Sequence, residues 1–126
     1  MPLHLRTTVT EVGEEAADLA EGGVVILFAE GAPPELAEVS LLHRVSEGPS
    51  GMAPGIGTPI RIGALEAPIT AIGDSAWKKV TDIGHVVISF TGAEAAERPG
   101  EIIAGKIDGE TLAAALQPGA EIVIGS

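Results

Sequence analysis

Three histidines, His4, His43 and His85, are the strongest candidates for nucleophilic or proton-transfer chemistry in this chain. An imidazole with an ordinary pKa of about 6.5 is largely neutral near pH 7 and can offer a ring-nitrogen lone pair. The absence of cysteine excludes thiolate nucleophiles, disulfides and zinc–thiolate sites. Because separations of 39 and 42 residues match no local metal-ligand spacing, we expect neither metal nor cofactor.

His43 lies in the segment SLLHRVSEG, residues 40–48, directly before Arg44. Strand alternation places His43 on the same inward face as Leu41 and Val45, and Arg44 on the opposite face. Two interpretations remain open. The imidazole is either a hydrogen-bonded core residue, or a functional group at the mouth of a barrel, turned outward by a bulge before the following glycine-rich loop.

The neighbouring polar groups also allow two interpretations each. Arg44 could hold phosphate oxygens, although an exposed strand arginine is more often simply solvated. His85 follows Gly84 at the start of a predicted strand, where it is either a structural residue or a supporting group near a phosphate. His4 lies near a terminus that we expect to be poorly tethered, so we assign it no role.

The charge balance argues against several classes of partner. Eighteen acidic and seven basic residues give a formal charge of −11, which repels nucleic-acid backbones and anionic membranes, and either favours solubility or attracts a basic protein.

The longest apolar run, VVILFA at 24–29, is strand-sized and far shorter than the roughly 20 residues of a membrane span. The start lacks the apolar segment of a signal peptide. We therefore expect a cytoplasmic protein without membrane insertion.

Seventeen glycines and nine prolines separate short Val/Ile-rich stretches, which is typical of a mainly β protein. The predicted strands are 5–12, 23–29, 39–46, 58–63, 67–73, 84–90, 100–107 and 119–125, and the predicted helices are 14–20, 75–82 and 110–116. Each helix has about two turns, so it must dock on the sheet to be stable.

An internal repeat of about 60 residues runs through the chain. Three pairs of segments match in the same order: 8–13 with 68–73, 23–31 with 85–92, and 54–63 with 118–125. Two copies, at about 5–63 and 64–126, would close around a pseudo-twofold axis. We predict one domain, 1–126, forming a small closed or nearly closed β-barrel of about eight strands with two or three short helices.

The repeat bears on His43. At an offset of 62 residues, His43 aligns with Gly105 and Arg44 with Lys106. Only one copy then carries an imidazole. A residue required merely by the fold would more often recur in similar form, so the asymmetry favours a function for His43.

Most of the chain resembles a known family. The segments TTVTEVG, ILFAEGAPPELAEVSLLHRV, PITAIGDSAWKKVTDIGHVVISFTG and ERPGEIIAGKI resemble the glucitol/sorbitol-specific IIA component of the bacterial phosphoenolpyruvate sugar phosphotransferase system (PTS). The resemblance implies a cytoplasmic β-barrel phosphocarrier that takes a phosphoryl group from HPr. It would pass the group to the IIB component of a membrane permease, whose IIB and IIC components phosphorylate and import glucitol.

The resemblance implies that His43 is the phosphorylated residue and that His85 supports it, with Arg44 as a phosphate stabiliser. This role requires a ring nitrogen that is reachable from outside, and an imidazole sealed in the interior with both nitrogens bonded would argue against it. The apolar neighbours Leu41, Leu42 and Val45 form either a docking patch or part of the core, and Leu42 is the best candidate of the three for exposure. Two alternatives remain: a non-catalytic binding or regulatory barrel, and a small hydrolase using His43 with a serine.

Overall fold

The computed structural model describes residues 3–125, so the predicted domain bounds, residues 1 and 126, lie outside the described residues. The chain forms strands and short helices in alternation. The strands are β1 (Leu5–Val12), β2 (Val24–Ala29), β3 (Leu41–Glu47), β4 (Pro59–Ile62), β5 (Leu65–Ile72), β6 (Val86–Ser89), β7 (Glu101–Ala104) and β8 (Glu121–Ile124). The helices are α1 (Ala16–Glu21), α2 (Pro34–Ala37), α3 (Ala76–Ile83) and α4 (Gly109–Ala115).

The strands close into a barrel in the order β1-β3-β2-β6-β7-β5-β4-β8. Closure leaves no free sheet edge. Two neighbouring pairs, β2 with β3 and β6 with β7, are parallel, and the other pairs are antiparallel. The predicted closed eight-stranded barrel is confirmed. The short helix α2 lies in a segment that the sequence left without a predicted helix.

Alternating apolar side chains from the strands fill the interior. In β1, the buried residues Leu5, Thr7 and Val9 alternate with partly exposed ones, as expected for a strand with one face on the core. Leu112 of α4 and Trp77 of α3 add to the same apolar cluster. None of the helices in residues 3–125 has the length and apolar character to cross a membrane.

The two halves of the barrel make equivalent pairings, and these correct the alignment of His43. Val9 on β1 pairs with His43 on β3, while its counterpart Ile69 on β5 pairs with Ala104 on β7. His43 is therefore equivalent to Ala104, and the expected match to Gly105 was wrong by one residue. The physical reason is that the segment from β5 to β7 is one residue longer than the segment from β1 to β3, so the offset is 60 residues between Val9 and Ile69 and 61 between His43 and Ala104. The expected uniform offset of 62 therefore placed the match one residue too far along the chain.

Gly13 and Gly73 follow β1 and β5 at equivalent positions, and both lie against backbone. A Cβ at Gly73 would stand 2.3 Å from the carbonyl oxygen of Pro99, and one at Gly13 would stand 2.2 Å from that of Ala37. Real Cβ atoms do not approach oxygen so closely, so a side chain at either position forces the backbone to move.

We predict that Gly73→Ala lowers the free energy of unfolding by about 1–3 kcal/mol, because the added methyl overpacks a site formed by backbone. Gly51→Ala is the matched control, since a Cβ there meets nothing within 4 Å, and it should change stability by less than about 0.5 kcal/mol. Urea unfolding of the two variants measures the difference. Equal stabilities would show that the backbone around Gly73 is not rigid.

Candidate functional site

The His43 imidazole is buried on the inward face of β3. Only 3% of the residue is exposed, and its pairing with the core residue Val9 keeps it on the interior side. A register shift between Val9 and Glu11 inserts an extra residue in β1, yet the imidazole still points inward. The expectations that a bulge turns this ring outward and that a ring nitrogen is freely reachable are wrong.

Both ring nitrogens of His43 have hydrogen-bond partners. Nε2 lies 2.7 Å from the backbone carbonyl oxygen of Gly84, and Nδ1 lies 2.6 Å from the hydroxyl oxygen of Thr7. Because a carbonyl oxygen can only accept, Nε2 must carry the proton and donate it. In the neutral ring Nδ1 then holds a lone pair and accepts from the Thr7 hydroxyl.

Burial lowers the pKa of His43 below its usual value, because the charged imidazolium loses its hydration. The hydrogen bond to the Gly84 carbonyl and the negative charge of Glu30 act in the opposite direction but are smaller. The neutral imidazole, with one nitrogen free of a proton, is therefore the form favoured near pH 7.

Arg44 projects from the other face of β3 into solvent. Its guanidinium binds Glu30 with two contacts, Nε to Oε1 at 3.0 Å and Nη2 to Oε2 at 3.3 Å. Glu30 directly follows β2, at the point where Ala29 pairs with His43. Arg44 directly follows His43 in sequence, and its guanidinium is paired with the carboxylate of Glu30. The negative charge of this carboxylate also opposes the lowering of the His43 pKa.

The His85 ring is half-buried and lies outside the hydrogen bonds of His43. Its Nδ1 donates to the carbonyl of Leu27 at 3.0 Å, and its ring packs against Phe28 with a centroid separation of 4.9 Å. His85 also lines a cavity of about 290 Å³ together with Lys79 and Arg98. These contacts fit the structural interpretation of His85, which touches the site only through the backbone of Gly84.

His4 is well tethered, contrary to expectation. The residue is buried, its Nδ1 lies 2.7 Å from the Ser50 hydroxyl and 3.1 Å from the Met52 carbonyl, and its ring meets Trp77 edge-on. Trp77 in turn donates to the carbonyl of Ser50 at 2.7 Å. This end of the chain is held because the loop after β3 folds over it.

The expected exposure of Leu42 is wrong, and Val45 is the exposed residue of the apolar neighbours. Leu42 is 7% exposed, whereas Val45 is 37% exposed. The reason is that β3 leaves the core after His43, since its first three residues are buried and the rest are exposed. Ile83, which directly precedes Gly84, is also exposed, at 48%. Val45 and Ile83 thus flank the chain segments that hold the imidazole.

Sequence reasoning missed Thr7, Gly84 and Glu30, which contact or act on the imidazole. A signal for Thr7 existed, because alternation puts it in the buried row of β1. Its side-chain contact with His43 depends on the β1–β3 register, which the sequence does not specify. Within the described residues, no group of three or more His, Asp and Glu side chains is placed to hold a metal ion.

The barrel shares its fold with a solved PTS IIA component. The solved structure of the PTS System IIA Component from Enterococcus faecalis V583 matches with a TM-score of 0.71, covering 96% of this chain and 99% of that one. At 23% identity, this match shows the shared fold alone.

Sequence comparison defines the family. The profile of the PTS system glucitol/sorbitol-specific IIA component matches residues 4–123. The glucitol/sorbitol-specific EIIA components of Shigella flexneri and Escherichia coli (strain K12) are each 33% identical over 108 residues, which cover 85% of this chain and 86% of each relative. The chain therefore belongs to the glucitol/sorbitol-specific IIA family of the PTS, as the sequence indicated.

The lowered pKa of His43 predicts a pH-dependent stability. Between about pH 6.5 and 5.5 the unfolded chain protonates this histidine and the folded chain resists, so the folded state loses stability as pH falls. His43→Asn removes this contribution. We expect wild type to lose up to about 1 kcal/mol more than the variant between pH 7 and 5.5, measured by urea unfolding. Parallel pH curves for the two proteins would contradict the burial.

Proposed function

We propose that the chain is a cytoplasmic phosphohistidine carrier that accepts a phosphoryl group from HPr on His43 and delivers it to the IIB component of a glucitol/sorbitol permease. Membership of the IIA family supports a phosphocarrier role in the PTS. Under this proposal the protein acts as a protein-histidine phosphotransferase component. The proposal requires no metal, because phosphoryl transfer depends mainly on in-line positioning and charge stabilisation, which two docked proteins can supply.

The observation that carries the proposal is the state of the His43 ring. Burial lowers the pKa of His43, so the ring stays neutral near pH 7 and keeps a ring-nitrogen lone pair, which attack on phosphorus requires. Like His43, His4 and His85 each place a ring nitrogen on a backbone carbonyl, that of Met52 and that of Leu27. Family membership and the lowered pKa of the buried ring support His43 as the nucleophile, and the contacts of His85 with Leu27 and Phe28 support a structural role.

The resting ring is enclosed, with 3% of the residue exposed and both nitrogens bonded, and this state argues against phosphorylation without a conformational change. Transfer to His43 therefore requires a local opening. The Nε2 contact with Gly84 is partly buried, whereas the Nδ1 contact with Thr7 is fully buried. Gly84 ends α3 in a left-handed conformation, with φ of 64°, and the exposed Ile83 precedes it. We propose that docking of the partner on Ile83 and Val45 moves the Gly84 carbonyl away from Nε2.

The expected partner surface follows from charge and exposure. A chain with a formal charge of −11 attracts a protein whose rim is basic, and such steering raises association rates. Val45 follows His43 by two residues and Ile83 directly precedes Gly84; both are exposed and supply apolar area that a docked partner would cover. HPr and IIB would use the same surface in turn, because both must reach the same nitrogen.

Incubation with phosphoenolpyruvate, HPr and the enzyme that phosphorylates HPr should add one acid-labile phosphate to the chain. His43→Asn should abolish the label, since its amide keeps hydrogen-bonding groups near Thr7 and Gly84 but has no imidazole. His4→Gln is the control and should label as wild type does. Intact-protein mass spectrometry measures the added phosphate. A labelled His43→Asn protein would overturn the assignment, and an unlabelled wild type would favour the binding-module alternative.

Arg44 is proposed to help hold the incoming phosphoryl oxygens by exchanging its two contacts with Glu30. Arg44→Gln should slow phosphorylation by about fivefold, because it removes a cation and leaves the Glu30 carboxylate to repel the phosphoryl group. Arg61→Gln is the matched control, since Arg61 is exposed on β4, three strands away from β3. Rates from initial labelling should separate the two variants. Equal rates would remove Arg44 from the site.

A further inference from the structure

Two basic side chains converge on one cavity in an otherwise acidic chain. Three of the seven basic side chains form ion pairs within residues 3–125. Of the other four, Lys79 on α3 and Arg98 in the turn before β7 line the same cavity of about 290 Å³ as His85, which we call the Lys79–Arg98 cavity. Because neither cation forms an ion pair with any described residue, their positive charge is left for a bound anion.

The internal repeat identifies the counterpart of Lys79. The backbone amide of Lys79 donates to the carbonyl of Ser75 at the start of α3, as the amide of Leu19 donates to that of Glu15 at the start of α1. Leu19 is therefore the equivalent residue in the first half. Because Leu19 is apolar and half-buried, the fold does not require a cation at this position.

The counterpart of Arg98 follows from the neighbouring hydrogen bonds. The residues that begin α3 and α1 donate their own amides to equivalent carbonyls, that of Pro99 at 2.9 Å and that of Glu38 at 3.0 Å. Arg98 precedes Pro99, so its equivalent is Ala37, which precedes Glu38. The first half thus carries two apolar residues where the second half carries two cations, and the shared scaffold does not explain the cations.

The turn before β7 is shaped to receive the Lys79 side chain. A Cβ at Gly100 would stand 3.2 Å from Nζ of Lys79 and 3.4 Å from its Cδ, so the lysine lies over the turn that carries Arg98. The turn is fixed, because the Glu101 amide donates to the Arg98 carbonyl at 3.2 Å and the Pro99 carbonyl accepts from α3. The two cations therefore come from two elements whose backbones are tied together.

The cations and a neighbouring carboxylate together indicate the kind of ligand. Arginine binds phosphate oxygens as a planar fork and lysine as a point charge, so the pair suits a phosphate dianion. Glu101 also lines the cavity, and its Oε2 accepts a hydrogen bond from the Ser89 hydroxyl at 2.8 Å. The carboxylate has further lone pairs, which accept from hydroxyl groups and repel a second phosphate. The cavity therefore favours a single phosphate next to hydroxyl groups.

We propose that the Lys79–Arg98 cavity binds a small phosphate monoester of a polyol, whose phosphate contacts the two cations and whose hydroxyl groups contact Glu101. The volume of about 290 Å³ lies at the lower end of ligand pockets and suits a molecule of this size. Binding at this cavity does not require transfer to His43, so the inference goes beyond the proposed function. Only the choice of probe, glucitol 6-phosphate, rests on that function, because a glucitol permease would release a polyol phosphate.

The cavity adjoins the segment that covers His43. The amide of His85 donates to the carbonyl of Lys79 at 3.3 Å, and that of Gly84 donates to Val80 at 3.0 Å. These bonds end α3 and position the Gly84 carbonyl on the imidazole. A ligand held by Lys79 is therefore linked through backbone hydrogen bonds to the turn that encloses His43, and the Gly84 amide reports on its binding.

An NMR titration of the unphosphorylated, ¹⁵N-labelled protein with glucitol 6-phosphate tests the proposal. We expect the amides of Gly84, His85 and Gly100 to shift along one saturable curve. Inorganic phosphate should bind about threefold more weakly, because it has no polyol hydroxyls for Glu101. Unphosphorylated glucitol should produce no saturable shift, because it has no charge for the cations.

Substitutions at the two cations test their part in binding. Lys79→Gln and Arg98→Gln should each weaken binding of the ester by about tenfold, because each removes a charge-assisted hydrogen bond to phosphate. Lys78→Gln is the matched control and should bind as wild type does, since Lys78 is paired with Asp82 at 2.7 Å and lies outside the cavity. Circular dichroism should show all three variants folded, because the three side chains are exposed.

The absence of saturable shifts with glucitol 6-phosphate, or an equal loss of affinity in Lys78→Gln, would overturn the site. Equal affinities for the ester and for inorganic phosphate would overturn the contact of polyol hydroxyls with Glu101. None of these results changes the expected labelling of His43. Conversely, a protein that is not labelled on His43 would still bind the ester, so the failure of this inference and that of the proposed function are distinguishable.

Discussion

An imidazole buried among apolar side chains must have both of its nitrogens satisfied, and the site around His43 is organised by this constraint. A buried polar atom without a partner costs about 1–3 kcal/mol, which is a large part of the stability of a small domain. In this barrel Thr7 satisfies Nδ1 and the Gly84 carbonyl satisfies Nε2. The two partners come from β1 and from the turn between α3 and β6, so the ring links the two halves of the chain.

The repeated architecture supplies a scaffold in which one half can be specialised. Equivalent glycines follow β1 and β5, and equivalent parallel pairs bring β3 against β2 and β7 against β6. The second half fills the position of the ring with Ala104. The barrel therefore accepts an apolar residue at this position in its second half. In the first half the same position carries His43, whose pKa is lowered by burial. The buried histidine is compatible with the fold because both nitrogens of its neutral ring are hydrogen-bonded.

Hydrophobic periodicity was sufficient to predict the eight strands, because alternating Val and Ile between glycine-rich turns is a local signal. The internal repeat predicted their closure into a barrel. The family assignment followed from residues that are contiguous in sequence. The environment of His43 depends on register and on non-local contacts. The partner Thr7 lies 36 residues away and Gly84 lies 41 away, so no local pattern specified that the ring would be enclosed. The exposure of Val45 depended on where β3 leaves the core, which alternation alone does not locate.

The central claim is that the resting His43 ring is held as the Nε2–H tautomer between a hydroxyl and a carbonyl, and ¹⁵N chemical shifts of the unphosphorylated protein near pH 7.5 test it most directly. The account predicts a protonated, pyrrole-type Nε2 and an unprotonated, pyridine-type Nδ1 whose shift moves in Thr7→Val. A resting ring protonated on Nδ1, or one whose nitrogens average rapidly between tautomers as in a solvent-exposed imidazole, would contradict the enclosure of the ring.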